Sequence, residues 1–374
     1  MFGNTKKLCD SFIDMGVPGF DLSVYQDGKE VLRYMGGYSD PENGIPICGS
    51  EIYNVYSCSK LITVTAAMQL WEKGLFKLED ELFKYMPEYK EMTVKTENGI
   101  KKAENPILIR HLFMMTAGFS YDLNSPELQK LKKESDGRCP TREVARYLAN
   151  EPLCSEPGTQ YRYSLGHDIL AALVEVLTGQ RFEAYVKENI FDPMCMTDSD
   201  FLLPMEDYCK VAPLYGFETG KAVLRSKNIP VYRLGTEHAS GGAGCASTVN
   251  DFIRFAEGLR TYKLLKKETL EVVLNTRLSE QEAKTYPLGN YCYGLGMRVH
   301  KPGTELADFG WGGAAGAMMS IDIPHRISLF YAQHLGSAPN QSLRVYIYNA
   351  VLKDLGYDVE VKAIANKEAN KLTY

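Results

Sequence analysis

No stretch of this 374-residue chain is apolar over the ~18–20 residues that a membrane-spanning helix needs. The first residues, Met1 to Asp21, lack the basic start, apolar stretch and cleavage site of a secretory leader. Excess positive charge is also missing: the net charge is −5, which argues against nucleic acid and anionic membrane surfaces as partners. Nine cysteines are scattered with no CxxC spacing, so neither a zinc ribbon nor a redox dithiol is expected. An odd, unpatterned set of thiols suits a reducing compartment, and the expected location is the cytoplasm. The six histidines include no HExxH pair; His167, His238, His300, His325 and His334 lack metal spacing, and His111 reads as a core histidine. No metal and no cofactor are therefore expected. A nucleophile elbow, G-x-S-x-G, occurs nowhere. Gly241 to Gly244 lacks the Lys-Ser/Thr of a phosphate loop. Gly310-x-Gly312-x-x-Ala315 matches a dinucleotide fingerprint in letters, but a hairpin rather than a helix is expected after it.

What remains is a globular composition, 45% hydrophobic and 24% charged, long enough for one large or two medium domains. Its centre is Tyr56-Ser57-Cys58-Ser59-Lys60. An apolar run from Leu61 to Trp71 follows and stops at Gly74. Several of its residues are β-branched, yet the run is long for a strand and ends on glycine, so a helix is expected. Leu61, Ile62, Val64, Ala67, Met68, Leu70 and Trp71 leave it almost no polar face, which marks a buried helix. Ser57 falls in the first turn and Lys60 one turn later on the same side. A lysine entering a buried helix is costly unless it has a partner or loses its proton. A serine beside such a lysine is an activated nucleophile. The four-residue pattern alone is weak, since it arises by chance on the order of once in a chain this long. Ser59 is read as a packing or hydrogen-bonding residue, and Cys58 as a small buried hydrophobe.

Elsewhere, Phe20 to Gly37 predicts a hairpin about Asp27-Gly28. A short amphipathic piece is expected over 75–86, a turn at Asn98-Gly99 and a helix over 107–116. Residues 120–140 read as a charged loop, and Thr141 as the cap of a helix running to Ala149. Helices are expected over 165–178, stopped by Gly179, and over 182–191. Residues 196–240 show weak periodicity and receive no assignment. Ser247 is expected to cap a helix over 249–259, and 293–299 to form a strand. A second hairpin is expected about Pro324-His325, then a helix over 343–355. The polar tail from Val361 reads as a frayed end. Strands thus gather at the two ends of the chain and helices fill the middle, which predicts an α/β lobe with an inserted helical lobe and a cleft between them.

Two further elements stand in order after Ser57-x-x-Lys60. Tyr161-Arg162-Tyr163-Ser164-Leu165 follows Pro157-Gly158, and Gly310-Trp311-Gly312-Gly313-Ala314 precedes the C-terminal hairpin. Taken together, the three resemble the motifs of the serine β-lactamase and penicillin-binding-protein-like superfamily. Within it lie the class C β-lactamases, the low-molecular-weight DD-peptidases and esterases of the same fold. Val17-Pro18-Gly19, Pro157-Gly158-Thr159, Gly241-Gly242 with Ser247-Thr248, and Tyr293-Gly294-Leu295-Gly296 match further landmarks in their usual order, so the resemblance covers most of the chain. It implies an α/β (α+β) fold: an antiparallel sheet flanked by helices, with a helical lobe over about 76–179 inserted between 1–75 and 180–374. It also implies Ser57 as the acylated nucleophile and Lys60 as the group that takes or shares its proton. Tyr163 would aid proton transfer to the leaving group, its phenol lowered by Lys60. The Ser57 and Ala314 backbone N–H groups would hold the oxyanion. Gly312 and Gly313 would let substrate approach the strand edge.

The sequence departs from the β-lactamase pattern twice. Leu165 stands where class C enzymes carry asparagine, and Trp311 where they carry lysine. The first loses an amide that would contact substrate; the second replaces a carboxylate-binding cation with an apolar ring. Tyr-Ser-Leu with Trp-Gly-Gly is the combination of the esterase branch called family VIII carboxylesterases. The resemblance thus implies a carboxylesterase acting on small or medium neutral esters, with Trp311, Gly312, Gly313 and Leu165 at the substrate. The alternatives on the same fold are a β-lactamase, a D-amino-acid peptidase or an acyltransferase; less expected is a non-catalytic binder that has kept the pocket and lost turnover. The expected partner is a small-molecule ester or amide, and the sequence does not specify an oligomeric state.

Overall fold

Strands from the two ends of the chain meet in one antiparallel sheet in the computed structural model, which describes residues 1–227, 232–288, 291–304 and 306–357. The tail expected to fray lies outside them. We number the strands of this sheet in chain order: β1 (Gly19–Gln26), β2 (Lys29–Asp40), β3 (Ile45–Pro46), β4 (Tyr291–Tyr293), β5 (Arg298–His300), β6 (Phe309–Gly312), β7 (Met318–Asp322) and β8 (Ile327–Ala332). Their spatial order is β4-β5-β6-β7-β8-β1-β2-β3. Asp27 and Gly28 both take positive φ, 54° and 76°, as the two-residue turn between β1 and β2 requires. The strand expected over 293–299 is instead two short strands, β4 and β5, with Tyr293 opposite Arg298. The chain reverses through Gly296, which takes a φ of +82° that a side chain would strain.

Period-two alternation assigns the two faces of the sheet. Leu329 and Tyr331 of β8 join Phe20, Leu22 and Val24 of β1 against helices α1 (Gly3–Asp14) and α5 (Tyr346–Asp354). Phe330 and Ala332 point the other way, and Phe330 stacks on Phe252 of helix α4 (Val249–Arg260) at 4.5 Å. Helix α2 (Ser59–Glu72) lies in this second core, and every residue from Ser59 to Met68 is buried. Helix α3 (Gly166–Thr178) packs on it and ends at Gly179 with a φ of 71°. Among the described residues, no helix is long and apolar enough to cross a membrane.

Several local expectations fail for identifiable reasons. Residues 126–134 form a helix where a charged loop was expected, because Pro126 opens it and Leu128 and Leu131, one turn apart, are buried beneath the charges. Thr141 is the first residue of its helix rather than the cap; its hydroxyl instead accepts from the Ala239 N–H at 2.9 Å. Thr248, not Ser247, caps α4, accepting from Asp251 N at 3.1 Å. Helix α1 carried no sequence signal at its start. Its cap comes from the other end of the chain: Asp354 accepts from the Thr5 and Asn4 N–H groups at 2.8 and 3.1 Å. The 196–240 segment contributes a hairpin, 214–218 with 221–226.

Candidate active site

Ser57 does not sit in the α-helix proper but in the tight 3₁₀ turn Tyr56–Cys58 that opens α2. Tyr56, just before it, adopts a left-handed φ of 46°, a conformation a bulky residue holds only when its surroundings fix it. Its ring is held edge-on to Tyr232 at 5.1 Å. One turn on, Lys60 is fully buried; its Nζ donates to the Gly242 carbonyl at 2.7 Å and reaches Ser57 Oγ at 3.5 Å. Burial pulls the amine from its ordinary value down to about 7, opposed by the nearby Asp168 carboxylate. Tyr163 lies in the extended stretch before α3, and its hydroxyl donates to Ser57 Oγ at 2.7 Å. The three residues thus converge on one oxygen.

The Tyr163 phenol departs from expectation. Burial pushes its pKa up, and its hydrogen bonds to Ser57 and Trp311 offset this only in part. Lys60 does not lower it, because Nζ lies over the face of the ring, 4.6 Å from the centroid, and the amine is itself close to losing its charge at neutral pH. At rest the Tyr163 phenol therefore keeps its proton, and the Lys60 amine is the more readily deprotonated of the pair relative to its ordinary value.

Trp311 on β6 is packed and also reaches the cleft, where packing and substrate contact were the alternatives. It is 3% exposed, stacks on Tyr163 at 6.1 Å, and its Nε1 donates to the Tyr163 hydroxyl at 3.4 Å. It also lines, with Ser57, Tyr163 and Ala314, a cleft of about 540 Å³. At Gly313 packing alone requires glycine: a Cβ there would lie 2.3 Å from the Val55 carbonyl oxygen. A Cβ on Gly312 would meet one atom, the Ala317 carbonyl oxygen, at 3.4 Å, a van der Waals contact. Leu165 is a correction. It is buried in the core at the start of α3 and is not among the residues lining the cleft.

Two groups of residues around this site were not anticipated. The cleft wall includes Tyr121, Tyr232 and Tyr286, and Tyr121 stacks flat on Tyr163 at 5.4 Å. Nothing marks these among 24 tyrosines. Behind Lys60, Asp168 is buried on α3, accepts from the Ser240 hydroxyl at 2.6 Å, and faces His238 Nε2 at 3.6 Å. An acid heading an apolar helix is the signal that singled out Lys60, and Asp168 carries it too. Ser59 Oγ accepts from Cys245 N at 3.0 Å, as a packing residue would. Cys58 is buried and its thiol is pushed up to about 12 by burial, so it is no rival nucleophile. His111 is buried, accepts from Leu108 N and is pulled down to about 4 by burial. The described residues contain no cluster of His, Cys, Asp and Glu fit to hold a metal, and all nine cysteines are free.

The chain is 24% identical over 354 residues to Protein Rv1367c of Mycobacterium tuberculosis, covering 87% of each. It is 27% identical over 284 residues to the ML-236A carboxylate methylbutanoyltransferase mlcH of Penicillium citrinum, covering 71% of this chain and 66% of that one. Among solved structures it resembles EstCE1, described as a hydrolase with promiscuous acyltransferase activity. The TM-score is 0.77 at 22% identity, over 93% of this chain and 97% of that one. The profile of the family described as Beta-lactamase matches residues 7–351, so the chain belongs to the Beta-lactamase family and has its fold of antiparallel sheet and flanking helices.

Proposed function

We propose that this protein is a carboxylesterase that cleaves small or medium neutral esters through an acyl-enzyme on Ser57. The observation that carries the reading is the Ser57 oxygen. It is held between a phenol that donates to it and an amine whose pKa is near 7, at the floor of an aromatic cleft. In the proposed reaction the free amine of Lys60 takes the Ser57 proton as the oxygen attacks the ester carbonyl. The Ser57 and Ala314 backbone N–H groups hold the developing oxyanion, an effect worth ~3–4 kcal/mol per donor in a dry site. Tyr163 gives its proton to the departing alkoxide and recovers it from the Lys60 ammonium. Water then repeats the sequence on the acyl-enzyme.

The cleft supports neutral substrates. Its lining is largely aromatic, and among the described residues that form it Asp122 is the only acidic side chain and none is basic. A second reading, acyl transfer to an alcohol, is favoured by the similarity to the methylbutanoyltransferase and by the apolar walls, which suit an organic acceptor as well as water. We also propose a small-molecule ester or amide as partner and, from the nine free cysteines, the reducing cytoplasm as location.

The test is the rate of cleavage of p-nitrophenyl butyrate and nitrocefin by the purified protein and by Ser57→Ala. Ester cleavage well above nitrocefin cleavage, with at least ~10⁴-fold loss in the variant, is the expected result. Full ester activity in Ser57→Ala would overturn the acyl-enzyme. Efficient nitrocefin turnover would overturn the neutral-ester reading.

A further inference from the structure

The turn 240–245 is tied to both helices of the site. On the α2 side, Lys60 Nζ donates to Gly242 O, Thr63 Oγ1 to Gly241 O, and Cys245 N to Ser59 Oγ, at 2.7, 2.7 and 3.0 Å. On the α3 side, Ser240 Oγ donates to Asp168 at 2.6 Å and accepts from Ala243 N at 3.1 Å. Asp168 therefore holds, through one serine, the turn whose carbonyl anchors the amine. The packing leaves no slack. A Cβ on Gly242 would lie 2.6 Å from Asp168 Oδ2 and 3.3 Å from Lys60 Nζ, so carboxylate and amine flank one point that only glycine leaves open. Asp168 Oδ2 is buried and makes no hydrogen bond. His238 lies beside the other oxygen at 3.6 Å, beyond hydrogen-bond reach: its Nδ1 accepts from Leu234 N at 3.1 Å, so in the neutral ring the proton sits on Nε2, facing Asp168.

We propose that Asp168 is the positioning residue of this site, fixing the Lys60 amine against Ser57 through the Ser240–Ala243 turn and through its own charge. This rests on the reading of Lys60 as the base. The groups facing the amine are Ser57 and Cys58 on its own segment, His167 and Asp168 on α3, and Tyr121 and Tyr163 at the cleft. Burial pushes the Cys58 thiol up to about 12 and pulls His167 down to about 3, and both phenols are pushed up. All of these are neutral near pH 7. Burial opposes the Asp168 charge, but His238, Ser240 and Lys60 outweigh it and hold the carboxyl low. Asp168 is thus the one full charge among them, and it favours the protonated amine.

The experiment is the rate of phosphonylation by an alkyl fluorophosphonate between pH 5 and 9, followed by intact mass. In this step Ser57 Oγ bonds to phosphorus, the P–F bond breaks with loss of fluoride, and the serine proton passes to Lys60. In the wild type the rate should rise with pH about a midpoint near 7. Asp168→Asn removes the charge that favours the ammonium, so the free base is present at lower pH. Its midpoint should fall by ~1 unit or more. Ser240→Ala keeps that charge but cuts the tie to the turn. Its midpoint should hold while the plateau rate drops ~10-fold or more. A residue that merely supports the fold would lower rates without moving a midpoint. An unmoved midpoint in Asp168→Asn, or wild-type kinetics in Ser240→Ala, overturns the proposal, and the second decides it if the first variant does not fold. Absence of any adduct in the wild type at every pH would instead overturn the acyl-enzyme reading, and this inference with it.

Discussion

Of two buried ionic clusters among the described residues, the one around Arg298 holds its charges and the one around Lys60 can lose its own. On the sheet, Arg298 of β5 donates to Asp308 and to Ser320 Oγ of β7, both at 2.6 Å, and to Met319 O at 3.3 Å. Its guanidinium lies over the Tyr291 ring, and His300 bonds the other oxygen of Asp308. Burial opposes both charges, yet each partner outweighs it: Arg298 is held further up and Asp308 down to about 2. At the site, Lys60 has one close acceptor, a carbonyl, and one long contact to Ser57. Its carboxylate, Asp168, forms no ion pair with it and spends its own contacts on Ser240 and His238. A guanidinium with a buried carboxylate in direct contact stays ionised and holds strands together. A point charge with its counter-ion one step away is easily deprotonated, as a general base must be.

Exchanging the cations breaks the comparison most sharply. Lys60→Arg keeps the charge but installs a group that cannot lose its proton in this range. Ester cleavage should fall ~10²–10⁴-fold, and alkaline pH should not restore it. Recovery of activity at pH 9 would mean that the group giving up its proton is not residue 60. A smaller effect of a different kind is expected at the sheet. Asp308→Asn leaves Arg298 buried without its counter-charge, which should cost ~3–5 kcal/mol in urea unfolding. Unchanged stability would mean that β5, β6 and β7 are held by their backbone bonds and side-chain packing alone.

The difference between the clusters also explains what was readable in the sequence. Lys60 was legible because it heads a run that leaves almost no polar face, so its burial followed from α2 alone. Tyr163 and Trp311 were legible only through ordered motifs; no local property separates Tyr163 from the other tyrosines. The partnership of Asp168 with Ser240 and His238 joins residues about 70 apart, through a turn whose glycines reveal little until both helices are packed against it. Leu165 was misplaced as a substrate contact because position within a motif does not say which way a side chain points. It faces the core at the start of α3. The helix at 126–134 was hidden because charged residues outnumber the two buried leucines that hold it.

The remaining effect concerns the pH dependence of stability. In the folded chain the Lys60 amine titrates near 7, against an ordinary value of 10.5. Between those two values the unfolded chain binds more protons, so this residue makes stability rise with pH across that window. The penalty of burying its charge is fully present below about pH 7 and is absent above about 10.5. Lys60→Met removes the charge while keeping an unbranched side chain of similar length, at the cost of the attraction to Asp168. The variant should be inactive yet melt higher than the wild type at pH 6–7. The gap should close as the pH approaches 10, where the native lysine is already neutral. Calorimetry at the two ends of the window measures it. A gap of equal size at both ends would trace the gain to packing, and Lys60 would then carry no buried charge for the site to exploit.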